Sequence, residues 1–230
     1  MSSEHITGLF RDYVHVKVRC RHLLLPSPTD TILLRLFSDA GRSYSFDHRA
    51  VSGYGRGEGA GCIILKNVKD AEKANDVIRA LVANSGVNQD GKTNGITTPN
   101  GTSQVELMRA VYKDAGLDPR KTGFVEAHGT GTKVGDPIEA EALHEMFCEG
   151  RTPKHPILVG SVKSNIGHLE GASGVVAIIK AAMTLERGFI LPNANFVKPN
   201  PNIPFAQWNM KVCSRKIRYV VQLWLSFTVR

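Results

Sequence analysis

Glu126-Ala127-His128-Gly129-Thr130-Gly131-Thr132 and Lys163-Ser164-Asn165-Ile166-Gly167-His168 place two histidines 40 positions apart, each in a loop of small residues. A short apolar run precedes each loop, residues 123–127 and 157–162. Such runs, bounded by turn residues, read as buried strands. Each histidine therefore stands where a strand gives way to a loop, and α/β proteins place their chemistry at such strand ends. Two loops of this kind predict one pocket.

The flanking sequence alternates strand and helix signals. The glycine-dense stretch 53–61 predicts tight backbone contact and does not satisfy GxGxxG, so a dinucleotide fingerprint is absent. It leads into a predicted strand over 60–65, with Cys62 as a packed core cysteine, and a second strand is expected over 77–82. Residues 85–102, rich in Asn, Gly, Thr and Pro, read as a long loop for binding or subunit contact. The Asn100-Gly101-Thr102 sequon in it is expected to be idle. A helix is predicted over 104–115, with Ser103 and Glu106 as a capping box, Val105, Met108, Val111 and Ala115 on its apolar face, and Gly116 as its stop. Asp136, Pro137 and Glu139 open a helix reaching residue 148. A third helix is expected over 167–187, slender and buried through Gly171, Ala172, Gly174, Ala177, Ala181 and Ala182, and ended by Gly188. Starting at the second histidine loop, it would aim its positive end into the pocket. The alternation implies an α/β domain.

A chain of 230 residues with 42% hydrophobic and 22% charged residues has the composition of one or two soluble globular domains. No apolar run is long enough to span a bilayer, and Met1-Ser2-Ser3-Glu4-His5 is no secretory signal, so a cytoplasmic protein without membrane partners is expected. Cys20, Cys62, Cys148 and Cys213 show no ligand spacing, which argues against zinc and a disulfide framework. The net charge of +8 does not indicate nucleic acid. Residues 39–210 hold 19 basic and 18 acidic side chains, so the excess lies at the two ends, as in Arg215, Lys216 and Arg218. A nucleic-acid binder ranks last among the readings.

Taken together, Gly41-Arg42-Ser43-Tyr44-Ser45-Phe46-Asp47-His48-Arg49-Ala50, Gly53-Tyr54-Gly55-Arg56-Gly57-Glu58-Gly59, Asn88-Gln89-Asp90-Gly91, Thr97-Thr98-Pro99-Asn100-Gly101, both histidine loops and Pro199-Asn200-Pro201-Asn202-Ile203-Pro204-Phe205 carry a resemblance. The chain resembles the β-ketoacyl synthase, or ketosynthase, domain of fungal iterative polyketide synthases. The resemblance implies the thiolase-like layered α/β/α/β/α fold, incomplete and mostly its C-terminal half. Residues 39–84 would end the N-terminal half and 85–212 form the C-terminal half, with 1–38 unassigned and 213–230 a divergent tail. Exposed apolar surface and poor solubility are expected of such a part.

The resemblance also implies roles. A ketosynthase joins an acyl chain held as a cysteine thioester to a malonyl unit carried by acyl carrier protein, with loss of carbon dioxide. His128 and His168 would donate hydrogen bonds to the developing enolate, Lys163 would support the pocket electrostatically, and Thr130 and Thr132 would line the channel for the phosphopantetheine arm. No tightly bound cofactor is implied; the partners are acyl carrier protein and, as in the parent family, a second copy of the synthase. Three departures stand against full activity. The family's nucleophile lies in a Thr-Ala-Cys-Ser-Ser elbow upstream of Tyr44, and Cys20, the sole cysteine upstream, lacks that setting. Arg49-Ala50-Val51-Ser52-Gly53-Tyr54 is one residue longer than the family's Arg-Ala-Asn-Gly-Tyr, and the Gly-Phe-Gly-Gly-Thr-Asn segment is missing after Val212. The expectation is a truncated ketosynthase, or a misread gene, unable to condense alone; the alternative is an inactive module that binds carrier protein or an intact ketosynthase.

Overall fold

The computed structural model describes residues 4–11, 36–93, 98–218 and 224–229. Cys20 and Thr97 lie outside them. In chain order the elements are β1 (Glu4–Arg11), α1 (Val68–Lys73), β2 (Leu81–Gln89), α2 (Gly101–Asp114), β3 (Thr122–Glu126) and α3 (Gly135–Phe147). Then follow β4 (Ile157–Gly160), the single turn α4 (Lys163–Ile166), α5 (Ser173–Arg187), β5 (Phe189–Ile190), β6 (Met210–Val212), β7 (Ile217–Arg218) and β8 (Trp224–Val229). Six strands form one mixed sheet in the order β2-β1-β8-β3-β4-β6, and β5 and β7 make a separate ribbon. The half around the histidines is parallel, with β3 paired to β8 and β4, and β4 to β6.

Parallel strands are buried on both faces, and every residue of β3 is buried. Val125 packs with Val105, Met108, Leu143 and Phe147 of α2 and α3. Phe124, its neighbour on the strand, points the other way to Ile190 and Cys213, with Leu185 of α5 against them. The sheet thus lies between two helix layers, the α/β arrangement that the alternation predicts. No described helix is long and apolar enough to cross a membrane.

Several local expectations are corrected. Residues 60–65 join no sheet: Ile64 and Leu65 are 46% and 56% exposed and Cys62 is exposed rather than packed, because no described strand lies alongside to complete a ladder. The strand expected over 77–82 starts instead at Leu81 and runs to Gln89, taking the first part of the predicted loop. Its polar residues pair with β1 from Glu4↔Gln89 to Arg11↔Leu81. On α2 the Asn84 amide donates to Val111 O (3.0 Å) and the Asn88 amide to Ser103 O (2.7 Å). Asn100, not Ser103, caps α2, its side chain accepting from Ser103 N at 3.2 Å. The sequon asparagine is therefore tied into the helix start.

The helix expected over 167–187 is broken. Gly167 (φ 77°) and Glu170 (φ 50°) both leave the right-handed region, so α4 ends after one turn and α5 begins only at Ser173. His168 is positioned by a loop, not by a helix terminus.

Candidate active site

His128 lies just past β3 and His168 follows β4 and α4, so both sit at the C-terminal ends of paired parallel strands. Their rings meet edge to face, 5.3 Å between centroids. The two loops predicted to form one pocket are brought together.

Two carboxylates from the first turns of α3 hold the His128 loop. Glu139, 5% exposed, accepts from the backbone N–H groups of His128 (2.7 Å) and Gly129 (2.8 Å). Asp136 accepts from Gly131 N (3.0 Å), Thr132 N (3.3 Å) and Phe46 N (2.6 Å). Burial nevertheless pushes Asp136 up to about 7, against the pull of those three amides. The bond to Phe46 ties in a buried residue at φ 62°, a conformation a bulky side chain adopts only where its surroundings hold it. These residues mark a helix start in the sequence; in the fold they also anchor the loop. Gly131 (φ 82°) shows why the loop is built of small residues, since a Cβ there would lie 2.5 Å from Tyr44 N.

Thr130 is buried, and its hydroxyl lies 3.3 Å from that of Thr132, which accepts from Gly135 N at 3.2 Å. Lys163 is 1% exposed, and its Nζ has no hydrogen-bond partner among the described residues. Burial pushes it down to about 8, opposed by Glu126, Glu139 and Asp136. Beside it, Glu126 accepts from Val162 N (2.5 Å) and lies 2.7 Å from Lys180 Nζ. Burial holds Glu126 above the usual carboxylate range despite Lys180. Lys180 is a charged residue on the slender, buried α5, and nothing in the helical periodicity marked it as an ion-pair partner.

His168 Nδ1 accepts from Glu170 N at 2.9 Å. Because a backbone N–H only donates, Nδ1 carries no proton, and the neutral ring keeps its hydrogen on Nε2. Burial, helped by Lys163, pushes His168 down to about 3, so the ring is neutral near pH 7. The glycine stretch closes this side of the site by backbone contact: His168 N donates to Gly55 O (2.8 Å) and Gly57 N to His168 O (3.0 Å). A Cβ on Gly57 would fall 2.2 Å from Ile166 O, which is the tight approach that the glycines predict. Near the longer segment Val51 is 68% exposed, while Tyr54 bridges Phe37 and Arg56 bridges His168. Below the site, Asp47 is fully buried and accepts from Val197 N (2.6 Å), Lys198 N (3.1 Å) and Arg49 Nε (2.7 Å). Burial raises Asp47, but these bonds outweigh it and hold the carboxyl below the usual range.

A mixed α/β sheet between helix layers, with two facing histidines at the ends of its parallel strands, is an incomplete thiolase-type fold. The chain belongs to the β-ketoacyl synthase family: the family description "Beta-ketoacyl synthase, C-terminal domain" matches residues 79–197 and "Beta-ketoacyl synthase, N-terminal domain" matches residues 32–71. It is 63% identical over 178 residues, 77% of its length, to Highly-reducing polyketide synthase 1 of Aureobasidium melanogenum, and spans 8% of that relative. To Highly reducing polyketide synthase tstA of Talaromyces stipitatus it is 54% identical over 180 residues, 78% of the chain and 7% of the relative. Among solved structures it is similar to a ketosynthase from module 6 of the bacillaene synthase of Bacillus subtilis 168, with a TM-score of 0.77, 38% identity and coverage of 88% of this chain and 36% of that one. A ketosynthase from module 1 of the bacillaene synthase of Bacillus amyloliquefaciens FZB42 gives a TM-score of 0.78 at 32% identity, with coverage of 98% and 38%. The chain thus spans under a tenth of these curated relatives and little more than a third of these ketosynthase structures.

Proposed function

We propose that the chain retains the decarboxylating half of a polyketide-type ketosynthase site and lacks the condensing half. The observation that carries this is the histidine pair 5.3 Å apart, one ring fixed as an Nε2–H donor by the Glu170 amide. The substrate is a malonyl thioester on the phosphopantetheine arm of acyl carrier protein, with Thr130 and Thr132 lining the arm's channel. Breaking the bond to the carboxylate releases carbon dioxide and leaves the electron pair as an enolate on the thioester oxygen. Nε2–H donors on His128 and His168, aimed where that charge appears, lower the barrier. Lys163 stabilises the charge at longer range. A proton from solvent water then adds to the α-carbon, giving the acetyl thioester and hydroxide.

Condensation needs a thiolate at the pocket. Cys62 is exposed on an unpaired segment, and burial pushes Cys148 and Cys213 up to about 11 and 12. Among the described residues, neither buried thiol is an activated nucleophile. Residues 39–84 and 85–212 are assigned to the two halves of the fold, in a cytoplasmic protein with no tightly bound cofactor and, by descent, a homodimeric parent. The test is incubation of the full chain with malonyl-acyl carrier protein, following carbon dioxide and acetyl-carrier formation. Decarboxylation lost in His128→Ala and His168→Ala supports the reading. Carrier-protein binding without any turnover favours the alternative of an inactive interaction module.

A further inference from the structure

The tautomer of His168 depends on a residue under backbone strain. Glu170 donates its N–H to the ring from φ 50°, a left-handed conformation unfavourable for a side-chain-bearing residue. Such strain persists where surrounding contacts over-determine it, and it collects at functional sites. Glu170 is held at two further points: its O accepts from the Ser173 hydroxyl at 2.8 Å, and its Oε1 accepts from the Tyr54 hydroxyl at 2.5 Å.

Tyr54 is itself fixed. Its N donates to Leu36 O (3.0 Å), its O accepts from Ser38 N (2.9 Å), and its ring lies 5.5 Å from Phe37, edge to face. The same ring also lies 4.8 Å from that of His168 between centroids. Burial, with the Glu170 carboxylate, raises the phenol far above its ordinary range, so it remains a donor across the physiological pH span. One aromatic side chain therefore touches the imidazole directly and holds the residue that sets its proton.

We infer that Tyr54 and Glu170 form a clamp that keeps His168 in its Nε2–H tautomer, which makes both of them positioning residues for the decarboxylation proposed above. The inference rests on that reading for its purpose, but not for its geometry. Without the phenol, the carboxylate loses its anchor, Glu170 relaxes toward negative φ, and its N–H turns away from Nδ1. The imidazole then exchanges between tautomers, and part of the population presents a bare lone pair to the enolate.

The experiment is long-range ¹H–¹⁵N NMR of the full chain labelled in histidine, with His168 assigned by comparison with His168→Gln. The native chain should show a single Nε2–H tautomer. Tyr54→Phe keeps the ring contact and removes the hydroxyl; it should yield mixed tautomers and an upward shift of the His168 titration. Glu170→Ala should do the same, whereas Glu170→Gln, which still offers the phenol an acceptor, should retain the single tautomer. An unchanged Nε2–H tautomer in both Tyr54→Phe and Glu170→Ala overturns the clamp. Decarboxylation of malonyl-acyl carrier protein is followed on the same samples, and kcat is expected to fall at least about tenfold in Tyr54→Phe at unchanged KM, part of the ~10²–10³ that one oxyanion donor supplies. Mixed tautomers with an undiminished rate overturn the positioning role. A native chain without decarboxylation but with the tautomer shifts refutes the proposed function and supports the clamp.

Discussion

Replacing Glu139 by glutamine should free the His128 loop while leaving the shape of α3 intact. The native carboxylate accepts two backbone N–H groups at 2.7 and 2.8 Å from a buried position. A carboxamide offers one oxygen and one NH₂, so Glu139→Gln keeps one bond and sets a donor against the other amide. Losing one charge-assisted bond costs about 1.5–3 kcal/mol, and an orphaned buried N–H about 1–3 kcal/mol more. Together these make roughly 2.5–6 kcal/mol, and at ~1.4 kcal/mol per tenfold the loop should open about 10²–10⁴ times more often. Native-state hydrogen exchange reads this at the amides of His128 and Gly129, with Glu141→Gln, an exposed carboxylate on the same helix, as the control. Equal exchange of those two amides in Glu139→Gln and in the control would refute the view that α3 anchors the loop.

Stability should fall as the pH drops from about 6.5 toward 3, because burial holds His168 near 3 while the unfolded chain titrates near 6.5 and takes up the extra proton. At ~1.4 kcal/mol per unit the effect is at most about 5 kcal/mol, and urea unfolding at pH 7 and pH 4 should show a smaller drop in His168→Gln than in the native chain. Lys180→Met alone strands the buried Glu126 and should cost about 3–5 kcal/mol in thermal unfolding, much of it recovered by adding Glu126→Gln. Gly131→Ala drives a Cβ into Tyr44 from a left-handed backbone and should destabilise by about 2–4 kcal/mol, whereas Gly171→Ala, with open space around its Cβ, should be close to neutral. Of Cys62, Cys148 and Cys213, only the exposed Cys62 should react rapidly with a thiol reagent in the native protein.

What the sequence made legible was set by local chemistry. The two histidine loops stand out because their glycines and threonines follow fully apolar runs, and β3 and β4 fall within a residue or two of where those runs predict strands. The helix faces of α2 and α3 follow from apolar spacing in the same way. What was not legible depends on partners distant in the chain. The polar residues of β2 read as loop because their amides are satisfied by α2 and β1, which no local pattern shows. Cys62 read as core because an apolar run says nothing about whether a neighbouring strand exists. The break at Gly167 was hidden by a run of small residues that fits a helical period, and its cause, the docking of Gly55 and Gly57 against the loop, spans more than a hundred residues. Tyr54 and Glu170 lie 116 positions apart, so their contact has no signature in either neighbourhood.

Beside the Tyr54 bond, the seam between the glycine stretch and the His168 loop carries two main-chain bonds, His168 to Gly55 and Gly57 to His168. A joint of that kind restricts bulk at the glycines and is indifferent to the side chains between them. Arg56 and Glu58 project into solvent from the same stretch. Their charges can therefore be exchanged through evolution or by design while the imidazole behind them stays where it is.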